Sequence, residues 1–349
     1  MRCKSRDTNY FLVSALLSFP MALAAHHSTP EDPTSITIEG VLSGVVWANP
    51  HIQFQVSTID QDGRAQEWTL EQPGATSMLR AGIGEELFVI GSPVRVSGPT
   101  LRNRTQHMIG WHMLFLETDL EVLLVVNRSP TPIWSDRTIG SGTNDLFSVT
   151  GSVPTGRESL FRVWTWRPSG GFWMTNGPDS FPLNNAAREI ADDWDIGDPS
   201  DNTVLRCIPP GMPATMGDPH PIEFIDLGDV IEIHMEEFDQ IRRIHLGGAE
   251  NPAFVETSPL GYSVGRWEGD TLIVDTSRID SQYLTRSGVP MSEDVSIEER
   301  FSVDAPNGQL RYTLRITDPV YLTESFVHEQ IWNWHENTTL QRYDCLVLD

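Results

Sequence analysis

Lysine is all but missing from this sequence: Lys4 is the only one in 349 residues. Beyond position 4 that excludes Schiff-base chemistry and a lysine general base, because both need an amine side chain of tunable pKa. Positive charge in general is scarce, with 24 Lys and Arg against 48 Asp and Glu and a net charge of −24. A chain this negative repels phosphate backbones and anionic headgroups, so nucleic acid is excluded as a partner. No βαβ pattern carries a G-x-G-x-x-G turn and there is no P-loop, which excludes the common nucleotide-binding arrangements. After the first 24 residues no apolar run approaches the ~18 residues of a membrane helix, so no membrane insertion is expected of the mature chain. Cysteine is rare as well. Cys3, Cys207 and Cys345 are not arranged in C-x-x-C pairs, which speaks against a cysteine-built metal or redox centre.

What is present at the start of the chain reads as a secretory signal. Arg2, Lys4 and Arg6 form a positive n-region, Phe11 to Ala24 an apolar h-region, and Ala22-Leu23-Ala24 a small-x-small cleavage pattern. Residues 1–24 are therefore expected to be removed, and the mature protein to be soluble and periplasmic or secreted. Cleavage takes three basic residues and one acidic residue, Asp7, from 24 and 48, leaving 21 and 47 and a net charge of −26. Cys3 leaves with the signal. In an oxidising compartment the remaining pair, Cys207 and Cys345, most simply forms one disulfide.

The rest divides into three parts. Residues 25–118 read as a small β domain, because Ser35 to Val41 alternates apolar and polar residues and Ile52 to Val56 and Trp68 to Leu70 continue around an Asp62-Gly63 turn. Val94 to Gly98 and Met113 to Leu116 add strands, and Ala75 to Ala81 a short helix. Five strands with one interposed helix fit an OB-like barrel. Residues 119–205 are rich in Pro, Gly, Ser and Asn and are expected to be an irregular connection with one helix, Leu183 to Trp194. Residues 206–349 hold seven or eight strand-like runs joined by tight turns. They are expected to form an antiparallel, lipocalin-like barrel able to hold one small ligand in its mouth, with Thr339 to Val347 as the last strand. The fold class is mainly β.

Several motifs carry a resemblance. Ala25-His26-His27-Ser28, Trp47-x-Asn49-Pro50-His51 and Met78-Leu79-Arg80-x-Gly82 resemble an exported bacterial family of unknown function that opens in a small β-barrel. Arg206-Cys207-Ile208-Pro209-Pro210-Gly211-Met212-Pro213, Arg242-Arg243-Ile244-His245-Leu246 and Gly265-Arg266-Trp267-Glu268-Gly269-Asp270-Thr271-Leu272 resemble its long form. The resemblance implies export and a β fold; it implies no reaction. Relatives carry His where Tyr262 and Met291 stand here.

Four constellations could carry chemistry. Cleavage after Ala24 leaves Ala25-His26-His27, and a free amine, backbone amides and an imidazole can wrap Cu(II) in a square plane, with His51 as a further ligand. Copper is the one cofactor this suggests; the alternative is a tail that binds copper adventitiously. Gly261-Tyr262-Ser263-Val264-Gly265 matches the serine-hydrolase elbow, which works on a strand-turn-helix, whereas a hairpin follows here. On the Ile231 to Leu246 hairpin, His234, Glu236, Glu237, Arg243 and His245 cluster, and alternation puts Arg243 and His245 on one face. That pair beside Glu236 could act as general acid and base; the alternative is a surface salt-bridge ladder. Trp267-Glu268-Gly269-Asp270 is a turn by composition, with Trp267, Tyr262 and His234 as candidate ligand contacts. Three readings follow. The first is a small-molecule-binding protein, and the second a cofactor-free acid–base enzyme using the barrel cavity. The third is a copper-binding protein.

Overall fold

A computed structural model describes residues 31–101, 104–124, 131–140, 153–166, 177–195, 198, 200–247 and 250–347. The expected signal, residues 1–24, and the candidate ligands His26 and His27 lie outside the described residues. Among those described, no helix is long and apolar enough to cross a membrane.

The first unit is built from β1 (Glu31–Val46), β2 (His51–Ile59), β3 (Ala65–Pro73), β4 (Pro93–Leu101) and β5 (His107–Ile109), with helix α1 (Ala75–Arg80) between β3 and β4. The strand order is β1-β2-β3-β5-β4, and β4 pairs back onto β1, which closes a five-stranded barrel. β3 and β5 run parallel, as the OB-like connectivity requires. β2 shows why these residues form a barrel wall: Ile52, Phe54 and Val56 are buried on one face while Gln55 and Ile59 are exposed. Met113 to Leu116, expected as one of the five barrel strands, does not lie in the barrel wall. It belongs to β6 (His112–Phe115), which with β7 (Leu120–Leu123) and β8 (Thr138–Ile139) extends the sheet outward from β4. The closing strand is the three-residue β5, too short to show a period. Its approach to β4 needs Gly98, where a Cβ would collide with the Ile109 carbonyl.

The second unit is a closed barrel of nine strands among the described residues. They are β9 (Val163–Trp166), β10 (Ile222–Asp226), β11 (Val230–Met235), β12 (Gln240–His245), β13 (Tyr262–Glu268), β14 (Thr271–Ser277), β15 (Ser296–Asp304), β16 (Gln309–Thr317) and β17 (Phe326–Asn333). β9 closes the ring between β17 and β10, so the segment expected as a connection supplies one strand of the barrel. Neighbours are antiparallel except β12 and β13, which run parallel and are joined by a crossover loop. Gly269 takes φ +64° in the Glu268-Gly269-Asp270 turn, as a tight hairpin needs. α2 (Asn185–Asp192) is capped by the Asn184 side chain, which accepts from Ala187 N–H at 3.0 Å.

Thr339 to Val347 does not form a strand of this barrel. Its only bridge pairs Cys345 with Asn49 of the first unit, and Cys207–Cys345 forms a disulfide across a separation of 138 residues.

Candidate functional site

Burial along β12 alternates, with Arg242 and Ile244 buried and Ile241 and Arg243 exposed. The pleat thus gathers Ile241, Arg243 and His245 on one face, the outside of the barrel, and turns Arg242 inward. On the outside, Glu232 accepts from Arg243 Nε at 2.9 Å and lies 2.9 Å from His234 Nε2. His234 and Arg243 together hold the Glu232 carboxyl below its ordinary range. His245 packs on Tyr262, ring centroids 4.9 Å apart. Glu236 stands in the turn at the other end of β12, about 17 Å of extended chain from His245, so the structure does not bring it to Arg243 and His245. Trp267 is at the far end of β13 from Tyr262. It packs on Phe161 at 6.3 Å, with the Arg157 guanidinium 5.1 Å from its ring. His51 Nδ1 is 3.1 Å from the Gln72 carbonyl and 3.6 Å from the Glu71 carboxylate. Among the described residues no group of three or more His, Cys, Asp and Glu is placed to hold a metal ion.

The inside of the second barrel is packed. Ser263, the middle residue of the elbow-like pattern, sits on a plain strand and serves a buried network. Arg242 Nη1 donates to Glu299 Oε1 at 2.9 Å and Nη2 to Glu299 Oε2. Nη2 also reaches Thr276 Oγ1 at 2.8 Å and Ser263 Oγ at 3.0 Å, and Tyr312 Oη donates to Glu299 Oε1 at 2.8 Å. Burial opposes charge on Arg242, but Glu299 more than offsets it and raises the guanidinium pKa. Burial and the same carboxylate push Tyr312 well above its ordinary value. Trp164, Phe224, Phe301 and Trp332, each at most 1% exposed, fill the space around the network. Side chains thus fill the barrel interior around this network.

A second ionic cluster joins the two units. Asn49 Oδ1 accepts from the backbone and hydroxyl of Thr76 at 3.3 and 3.2 Å, at the start of α1, whose own N-cap is Gly74. The Asn49 backbone receives the C-terminal segment, bonding Asp344 and Leu346. Arg80, at the end of α1, ion-pairs with Glu236, which also accepts from Gln341 N–H at 2.9 Å and lies 3.3 Å from His220 Nδ1. Burial alone would raise the Glu236 carboxyl, and His220 and Arg80 bring it below the ordinary range. Beside it Arg286 Nη2 donates to Asp218 Oδ2 at 2.6 Å and Glu237 Oε2 at 2.5 Å. Burial penalises both carboxylates. Asp218 is pushed well above its ordinary value, whereas Arg286 holds Glu237 at about 2. The adjoining cavity, lined by Trp194, Asn202, Tyr283 and Arg286, measures about 50 Å³. That admits a few waters and no organic molecule. The cluster ties the first unit and the C-terminal segment to the second.

Among the described residues, a larger space, a groove of about 530 Å³, lies on the outside of β13 to β16. The register sets Val264, Asp275, Glu298 and Arg315 in one row across four strands. The next row on that face holds Ser277, Ser296 and Thr317, which also line it. Glu250 and Pro252 of the β12–β13 loop form one wall. That wall is pinned by Glu250 N–H donating to Tyr262 Oη at 2.8 Å and Arg278 Nε donating to the Val255 carbonyl at 2.9 Å. Asp275 is paired with Arg266 at 2.6 Å. Arg315 is exposed and has no ion pair among the described residues. Of the residues expected to act, Tyr262 and His245 pair in the sheet with the lining residues Ser277 and Val264. Arg315, Glu298 and Glu250 were not singled out by sequence, because only the pairing of distant strands puts them in one row.

Residues 15–109 match a family described as one of unknown function (DUF6152). The match spans Ala25-His26-His27-Ser28, the Trp47 to His51 turn, α1 and the five barrel strands, so this part of the chain is similar to that family. No curated protein and no solved structure matches the chain.

Proposed function

We propose that this protein, whose first barrel matches that family, works outside the cytoplasm as a binding protein for a small polar molecule. The molecule sits in the groove on the outer face of the second barrel. Arg315 carries the reading. It is an exposed guanidinium without an ion pair among the described residues, set among hydroxyls and carboxylates in a concavity of about 530 Å³. Small-molecule sites run from about 300 to 1,000 Å³ and use a few convergent polar groups. The packed side chains around Arg242 and Glu299 and the water-sized junction cavity support the choice of the groove among the described residues. The Cys207–Cys345 disulfide supports an oxidising compartment.

A thermal-shift screen of a polar metabolite library tests this, run on the wild type and on Arg315→Ala. Ligands that raise the midpoint of the wild type should lose that effect in the variant. Equal shifts in both proteins would move the binding site away from the groove.

A further inference from the structure

We infer that the ligand of this groove is a neutral, hydroxyl-rich molecule of the mono- or disaccharide class. The inference rests on the groove being the binding site. Three ligand classes are weighed by the lining itself. An apolar ligand would find carbon on Val264, Pro252 and Ile297 but would leave Glu250, Glu298, Arg315, Ser277 and Ser296 without hydrogen-bond partners on binding. An anion would gain Arg315 but face Glu250 and Glu298, with Asp275 already neutralised by Arg266 and the whole chain at −24. A cation would gain Glu250 and Glu298 but meet Arg315, which stands directly across the β15–β16 pair from Glu298.

A sugar avoids both conflicts. Each hydroxyl can donate to a carboxylate and accept from a guanidinium or a serine or threonine, so Glu250, Glu298, Arg315, Ser277 and Ser296 all find partners without placing a net charge in the groove. Charged acceptors and donors make the stronger hydrogen bonds. Phe254, 83% exposed in the same Pro252–Phe254 turn as the wall, offers an aromatic face of the kind that covers the C–H face of a pyranose. The pinning of that loop by Tyr262 and Arg278 keeps the wall in place before a ligand arrives, which lowers the ordering cost of binding.

Isothermal titration calorimetry on the disulfide-bonded protein decides the matter. The probes are glucose, maltose, cellobiose and myo-inositol as neutral polyols, spermidine as a cation and citrate as an anion. Each is run against wild type, Arg315→Ala and Glu298→Gln, all surface changes that leave the core intact. At least one polyol should bind, and each substitution should weaken it by about tenfold or more, the loss of one hydrogen bond to a charged group. Binding of spermidine or citrate alone, with the same sensitivity, overturns the sugar class and leaves the groove as the site. Polyol binding unchanged in both variants overturns both the class and the groove. Silence with every polyol overturns the class, and the thermal-shift screen then judges the groove separately.

Discussion

Glu299→Leu should be among the most damaging single substitutions in the second barrel. The carboxylate is fully buried and takes hydrogen bonds from Arg242 and Tyr312, the first of them bidentate. Removing it strands a guanidinium that is 1% exposed between β12 and β15, and breaking a buried ion pair from one side costs about 3–5 kcal/mol. Arg242→Met breaks it from the other side, at a similar cost. The double variant Arg242→Met/Glu299→Leu removes both charges, so the large electrostatic penalty disappears. What remains is the loss of the Tyr312 partner and the weakening of the Ser263–Thr276 pair, whose hydroxyls keep each other at 2.9 Å, about 1 kcal/mol for each lost bond. The double variant should therefore lose about 1–3 kcal/mol, far less than the sum of the singles, with a coupling energy of at least about 3 kcal/mol. Urea unfolding followed by tryptophan fluorescence reads this directly, since Trp164 and Trp332 lie in the same interior. Additive losses, or singles below about 1 kcal/mol, would show that the pair does not carry the barrel's interior electrostatics.

Other outcomes follow from the same contacts. Cys345→Ser opens a loop of 138 residues and should cost about 5 kcal/mol by loop entropy; an unfolding midpoint insensitive to the substitution refutes it. Arg80→Ala should loosen the junction, and amide exchange at Gln341 and Tyr343 should speed up, because Glu236 keeps only His220 of the two cationic partners that offset its burial. Exchange unchanged at both amides would exclude Arg80 as the tie between units. Burial lowers the His328 pKa from 6.5 to about 4. Between those values the unfolded chain binds the extra proton, so stability rises with pH across the window and is lost as pH falls through it. His328→Gln should flatten that part of the slope, and thermal midpoints from pH 4 to 7.5 that keep the wild-type slope would refute the assignment.

Composition and periodicity were enough for the architecture in outline. The alternation in β2, the Asp62-Gly63 and Glu268-Gly269-Asp270 turns and the single cysteine pair are local signals. Each reports a face, a reversal or a closure without reference to the rest of the chain. They made legible a small barrel, a larger barrel and a disulfide between Cys207 and Cys345. The site was less legible. β12 reads Gln-Ile-Arg-Arg-Ile-His, with one isoleucine on each face, so its pattern does not say which arginine turns inward. Packing decided for Arg242, because Glu299 waits on β15 and Gly265 makes room for Ile244. β5 and β9 are three and four residues long, too brief for a period, and they close their barrels only because the neighbouring edges need partners.

The sequence by itself determined what depends on neighbours along the chain: strand faces, turns, an acidic lysine-poor surface and the pairing of the only two cysteines left after residue 24. Tertiary structure alone decided what depends on neighbours across it. Arg80 meets Glu236, the C-terminal segment meets Asn49, and Asp275, Glu298 and Arg315 line up in one groove. Register between strands dozens of residues apart sets those meetings, and a one-residue slip in any pair would turn the row to the other face.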